Sequence, residues 1–556
     1  MTRPVDARSD QFVDELCALD PITATFAGVA GHDDRLPDLS PDGFTAREDL
    51  HRRALAEVTA LTPTDEREQV AQDGFRERVG LAVEQADAGV ERSEFSVISS
   101  GLHAVREVFD LMPQDTDDDW DVIGARLDAI PTALAGYRAT LLDEATQGRV
   151  SARRQYVEVA AQVRGWTGQE GSAGDFFAGL VAEAPEARRE SLTKVAAGAS
   201  AAYAEFGRFI EADLLPRGRE VDGVGRERYA LASRGFLGAS VDPEETYLWG
   251  WEELKRIEDD MAHTAQRIVP GGSVADAVAA LDADPARDLG SREAFQAWMQ
   301  EKSDTILATF NGQHFDIAEP IRTLHCKVAP INDGGAWYTP PSEDLSRPGT
   351  MWFSFTDDHE RFSTWRETTT VFHEGVPGHH LQCAQVVFQA GLLNRWQRLM
   401  SWVSGHGEGW ALYAERLMDE LGHFADPGDR LGFLDMQGFR AARVVVDIGV
   451  HLGLTIPQDN PFGWRGGETW DADLVHEFLR AHSRMDDGSL RFEVNRYLGW
   501  PGQAPSYKVG ERIWLEARDE ARARHGAAFD LKAFHTAALD LGSIGLDPLK
   551  MALARI

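Results

Sequence analysis

Along most of the chain, apolar residues recur three and four positions apart among acidic residues, arginine and alanine. That period predicts helices. Glu66 to Ala86 is a clear run, with Phe75, Val79 and Val83 spaced four apart on one helical face. The first 215 or so residues read this way throughout. The acidic run Asp117 to Asp119 suits the start of the next helix, because the helix dipole favours negative charge there. The pattern stops at Pro216-Arg-Gly-Arg-Glu-Val-Asp-Gly-Val-Gly225, which mixes proline, glycine and charge. This is the expected boundary between an N-terminal helical region (1–215) and a catalytic, metal-binding region (226–556), packed either separately or as one continuous unit.

Helical spacing resumes from Pro243 to Ile268. Residues 320–355 then change character. Thr323-Leu-His-Cys-Lys-Val-Ala, Gly334-Gly-Ala-Trp-Tyr-Thr-Pro-Pro and Gly349-Thr-Met-Trp-Phe-Ser-Phe are aromatic and β-branched runs set between Pro and Gly breaks. They predict short antiparallel strands. The run Gly349 to Phe355 is either a free edge able to pair with an extended peptide or part of a packed hairpin. Helices return from Trp365 to about Leu421, then from Gly432 to Leu454, Asp471 to Met485 and Ser506 to His525. No internal repeat or low-complexity tract interrupts them. The expected fold is therefore mainly α with one small antiparallel sheet.

Composition narrows the function. The 556 residues carry a net charge of −35, with 43% hydrophobic and 26% charged residues. This is an ordinary globular balance, but an acidic surface repels nucleic-acid phosphates and anionic membranes, so neither is an expected partner. Oligomeric state is not encoded in any such feature. The three cysteines, Cys17, Cys326 and Cys383, have no short spacing and fit a reducing compartment. No apolar run follows the basic residues at the N-terminus, and no stretch of about 18 apolar residues occurs. Cytoplasmic location is the expectation.

The candidate chemistry lies in Thr368-Thr-Thr-Val-Phe-His373-Glu374-Gly-Val-Pro-Gly-His379-His380-Leu-Gln-Cys, followed by Ser404-Gly-His406-Gly-Glu408-Gly-Trp-Ala-Leu-Tyr413-Ala-Glu415. In H-E-x-x-H hydrolases, two histidines one helical turn apart bind zinc, and the intervening Glu takes a proton from the bound water. Here the second histidine comes six residues after the first. In an ideal helix that leaves it about 120° off the first face. A break at Pro377-Gly378 can swing His379 back. His380 is the rival, within about 20° of that face but roughly 10 Å along the axis. Glu408 is the best third ligand, because 29 residues let one helix finish and another return beside it. Glu415, two turns later on the same face, could support it from behind. His406 could line the pocket, whereas the His325-Cys326 pair has no partner cluster nearby in sequence.

These stretches resemble a known family. His373-Glu374-Gly-Val-Pro-Gly-His379-His380-Leu-Gln is similar to the H-E-x-x-P-G-H signature of the bacterial domain-of-unknown-function family 885. So are Tyr338-Thr-Pro-Pro-Ser, Glu408-Gly-Trp-Ala-Leu-Tyr-Ala-Glu, Arg496-Tyr, Pro501-Gly-Gln-Ala and Tyr507-Lys-Val-Gly. The family looks like a distant relative of helical zinc metallopeptidases, including thermostable carboxypeptidases and oligopeptidases. The resemblance implies a large zincin-like helical fold with a deep cleft, a small sheet beside the metal, Zn2+ as cofactor, His379 as second ligand and Glu408 as third. The two-residue insertion between the histidines departs from those peptidases.

Such a hydrolase needs a donor for the developing oxyanion. Tyr507, Arg496 and His451 are the candidates, each with an ordinary structural alternative: a packed tyrosine, an ion-paired arginine, a core histidine. The chain has no G-x-S-x-G and no G-x-x-x-x-G-K-[ST], which removes the serine-hydrolase elbow and the phosphate-cradling loop. The leading expectation is a zinc metallopeptidase for short peptides, with Glu374 as general base. The competing ones are a zinc amidohydrolase for a small non-peptide amide or ester, and a non-catalytic binding protein. The intact Glu374 argues against the last, since a binding module has no use for a general base.

Overall fold

The structure is a computed structural model that describes residues 3–171, 174–329, 335–356 and 361–555. It is mainly helical. The periodic run at Glu66 forms the helix Glu66–Asp87, with Phe75 and Val79 buried. Asp117–Asp119 does open a helix, Asp117–Thr146, where Thr116 and Asp119 close a capping box. The Ser506 run is helical over Ser506–His525. No helix among the described residues is long and apolar enough to cross a membrane.

Buried apolar residues gather into three clusters. One lies wholly within residues 22–214. A second joins the N-terminal helices through Phe12, Val58 and Phe75 to Trp396. The third runs from Val70 to Leu553 and contains most of the second half of the chain. The N-terminal helices therefore have a core of their own and also close onto residues near 396, where Asn394 Nδ2 donates to Asp6 Oδ1 at 3.0 Å.

A central helix and one close helix crossing set up the site. The helix Pro427–Leu452 is buried along most of its length, as a central helix is, and carries Gln437, Arg440, Asp447 and His451 among its buried residues. Ser404–Glu420 crosses Ser506–His525 with backbones almost touching. A Cβ at Gly409 would lie 2.5 Å from the Gly510 carbonyl carbon, and one at Gly510 would lie 2.2 Å from the Gly405 oxygen. Only glycine permits that approach, and it brings Glu408 toward Tyr507 across the same crossing.

The sheet corrects the expectation of antiparallel strands. Its strands are β1 (Leu324–Val328), β2 (Gly335–Thr339) and β3 (Gly349–Ser354), in the order β1-β3-β2. The hairpin β2–β3 is antiparallel, but β1 and β3 are parallel. β3 pairs on both sides, so it has no free edge to offer a peptide. Its near-continuous burial is the mark of a central strand. Gly334, the first residue of one predicted run, lies outside the described residues. His325 is exposed on β1, while the Cys326 thiol faces Ser303 at 3.5 Å.

Candidate metal centre

His373 and Glu374 are the last two residues of the helix Thr364–Glu374. The chain then breaks completely, and His379 opens a new helix, His379–Phe388. The Pro-Gly insertion thus ends one helix and starts another, which is a sharper event than a kink in a continuous one. Gly378 is essential to it, since a Cβ there would lie 1.9 Å from the His373 carbonyl oxygen. The turn is tethered from the third helix, Ser404–Glu420, where Trp410 Nε1 donates to the Pro377 oxygen at 2.9 Å.

Three donor groups converge at this junction. His373 Nε2 is 3.3 Å and His379 Nε2 3.4 Å from Glu408 Oε2. The three ligand atoms lie within 4.8 Å of one another, the one such group among the described residues. The separations are informative. A charge-assisted hydrogen bond closes to about 2.7–2.9 Å, so 3.3–3.4 Å is long for direct pairing. Four-coordinate zinc with bonds of about 2.0–2.2 Å holds neighbouring ligand atoms about 3.3–3.5 Å apart. The two nitrogens and one oxygen therefore have both the chemistry and the spacing for a shared divalent cation.

The support behind the ligands is short and direct. His373 Nδ1 donates to Glu415 Oε1 at 2.7 Å, and Thr369 Oγ1 donates to Glu415 Oε2 at 2.6 Å. In the neutral ring this selects the tautomer that leaves the Nε2 lone pair free for a cation. The role anticipated for Glu415 has its geometry here. Arg440, on the central helix, comes within 4.0 Å of Glu415 and completes the set. Burial opposes charge on His373, yet its contacts with Glu408 and Glu415 outweigh that and push it up to about 9. Burial also works against ionised Glu408, but the two histidines hold it well below the usual carboxylate range. Glu374 behaves oppositely. It is outside the ligand group, and burial raises it above its ordinary value despite the histidines beside it.

His380 is not among these donors. Its Nδ1 pairs with the Tyr338 hydroxyl at 2.9 Å and its Nε2 with the Ile321 carbonyl at 3.0 Å. Burial lowers it to about 4. Both ring nitrogens are occupied in joining the helix to β2 and to the segment before β1.

The three oxyanion-donor candidates part company. Tyr507 lies by the site: burial raises its hydroxyl, Glu408 raises it further, and Arg443, Arg496 and Arg440 oppose the rise. The Arg443 guanidinium is 5.2 Å from its ring. Arg496 is committed to Glu493 and Gln503, each at 2.8 Å. His451 is elsewhere in the core. Its Nε2 pairs with the Tyr497 carbonyl at 2.9 Å, and its ring stacks on Tyr229. His406 is buried, with Nδ1 on Gln382 at 2.7 Å. Sequence reasoning missed Arg440. Its signal was an arginine in Phe439-Arg-Ala-Ala-Arg-Val-Val-Val446, a run otherwise fit for a core helix.

Comparison with known proteins places the fold. A crystal structure of a candidate lipoprotein from Colwellia psychrerythraea superposes with a TM-score of 0.82 at 22% identity, covering 99% of this chain and 98% of that one. A candidate lipoprotein of unknown function from Shewanella oneidensis gives 0.75 at 17% identity, covering 98% and 99%. At these identities the likeness concerns the fold alone. No curated protein matches the sequence. The model for DUF885, bacterial proteins of unknown function, matches residues 21–553, and the chain belongs to that family.

Proposed function

We propose that the protein is a zinc-dependent metallopeptidase, a carboxypeptidase or oligopeptidase acting on short peptides within a zincin-like fold. The observation that carries this reading is the spacing of His373 Nε2 and His379 Nε2 from Glu408 Oε2, longer than a charge-assisted hydrogen bond and suited to one shared cation. Zinc held there would supply a Lewis acid and a bound water of lowered pKa.

The chain's own residues supply the rest. Glu374 adjoins the ligands without being one of them, and its raised proton affinity suits a group that takes a proton and later gives it to a leaving amine. Glu415 keeps the His373 ring oriented. Tyr507 keeps its hydroxyl proton at neutral pH, since burial and then Glu408 raise it, and can donate it as a hydrogen bond to a developing oxyanion. The Arg440 and Arg443 guanidiniums lie 5.9 and 5.2 Å from the tyrosine ring.

The test is protein purified without added zinc, assayed for metal content and for turnover of a short-peptide library. Glu374→Gln should keep the wild-type metal content and lose roughly 10²–10⁴-fold in kcat. Unchanged turnover in that variant would remove Glu374 from the mechanism, and metal-free wild-type protein that hydrolyses peptides at full rate would end the proposal.

A further inference from the structure

Phe26 lies in the short helix Pro21–Ala27, Leu111 lies about 85 residues on, and Trp402 comes from the far half of the chain. They are 55%, 52% and 51% exposed, unusual for side chains of this size in a protein so acidic. All three face one cavity of 570 Å³, between the N-terminal helices and the helix His379–Phe388. Val386 and Val387 add apolar wall, and Pro340-Pro341 closes the β2 side.

This cavity adjoins the ligand triad. The Trp402 ring centre is 6.2 Å from that of His379. The same ring lies over Gly407, where a Cβ would be 2.1 Å from it, and Gly407 precedes Glu408 in the chain. Cys383, one turn after His379, also lines the cavity. Its thiol is pushed up to about 12 by burial first and then by the charges of Glu408 and Glu374. Three buried side-chain atoms of lining residues have no partner among the described residues, Gln382 Oε1, Arg398 Nε and Ser543 Oγ, and Gln382 supplies the one amide acceptor. Gln382, 2% exposed, donates its Nε2 to His406 Nδ1 at 2.7 Å, while its Oε1 is buried with no partner among the described residues. A buried acceptor left so is costly unless something donates to it. A peptide N–H is a donor of the right kind.

We propose that this cavity receives a large apolar side chain, aromatic or long aliphatic, of the residue next to the scissile amide, with a substrate backbone N–H donating to Gln382 Oε1. The proposal rests on the metallopeptidase reading. It gives the N-terminal region a share in specificity, because Phe26 and Leu111 form the outer wall. A cavity of this size accepts one such side chain with its flanking backbone and no folded protein.

Binding can be read apart from catalysis. Isothermal titration of zinc-loaded Glu374→Gln protein would use N-acetyl-Ala-Phe-Ala-amide and N-acetyl-Ala-Ala-Ala-amide. The phenylalanine peptide should bind roughly 10- to 100-fold more tightly. In the added Phe26→Asp/Leu111→Asp background, both sites being exposed, that ratio should fall below about threefold, with unchanged zinc content and melting temperature. Equal binding of the two peptides, or a ratio that survives the double substitution, overturns the cavity's role. Loss of zinc-dependent turnover in the wild type is a separate result that would strike the metallopeptidase reading, since the binding ratio is measured without turnover.

Discussion

Replacing Glu415 by glutamine tests whether the ligand triad is built or accidental. The carboxylate accepts from His373 Nδ1 at 2.7 Å and from Thr369 Oγ1 at 2.6 Å, and Arg440 lies 4.0 Å away. Glutamine has the same shape. Its oxygen can still accept from His373, and its amide can donate to Thr369 Oγ1. The ring should therefore stay in place, and what is lost is the negative charge behind it. A charge-assisted hydrogen bond is about twice as strong as a neutral one, and losing such a partner behind a metal-binding histidine costs about 10- to 100-fold in metal affinity. That corresponds to about 1.4–2.8 kcal/mol. The assay is a zinc competition titration against a chromophoric chelator, with a melting curve of each protein alongside. The melting curve matters because Arg440 also loses a partner, and that loss would appear as lower stability in both metal-free and zinc-loaded protein. A zinc Kd within about twofold of the wild type would mean that Glu415 does not tune the site, and the argument for a built centre would lose its second half.

His380→Ala and His379→Ala separate the two adjacent histidines. The first should keep zinc but lose about 2–4 kcal/mol of stability, because it empties a buried site and strands the Tyr338 hydroxyl and the Ile321 carbonyl. The second should lose zinc with a smaller change in stability, and the reverse pattern would assign the ligand to His380. Asp447 gives a pH dependence away from the metal. Burial pushes its carboxyl up to about 7, against the hydrogen bonds it accepts from Tyr229 and the Gly502 amide. Between its ordinary value and 7 the native state binds more protons than the unfolded one, so stability falls as pH rises through that window. About 2–3 kcal/mol is lost between pH 5 and 8. Asp447→Asn should abolish that part of the slope in denaturant titrations at the two pH values, and an unchanged slope would show that the carboxyl ionises freely.

What could be read from the chain depended on how local each feature is. Helical period survives in a window of a dozen residues, so Glu66–Asp87 and Ser506–His525 were visible in it. The residues of the candidate metal group sit in two short sequence clusters, which makes them legible before any fold is known. The pairing of β1 with β3 was not visible, because strand order depends on which segment inserts where, and no residue of β1 encodes that. Arg440 was missed for a similar reason: its partner is 25 residues away on a different helix, and only packing joins them. The cavity wall is the extreme case, with Phe26 and Trp402 brought to one cavity from distant parts of the chain.

The choice between His379 and His380 shows why rotation angles alone could not decide. Angular reasoning treated the six-residue spacing as a distortion of one helix, and on that premise each histidine had a defect. The chain instead stops after Glu374 and restarts at His379, so the two rings belong to different helices and no common axis relates them. Once the helix is broken, position is set by what the junction can tolerate: a glycine at 378 pressed against the His373 carbonyl, and the Trp410 tether on Pro377. The residue after the glycine faces Glu408, and the next one turns to Tyr338 and Ile321. His373, Glu374, His379, Glu415 and Arg440 are buried and Glu408 is half-buried, and apolar side chains of similar volume often match or better such a cluster for stability alone. On the metallopeptidase proposal, a cation held among them would offset the cost of gathering these groups around one point.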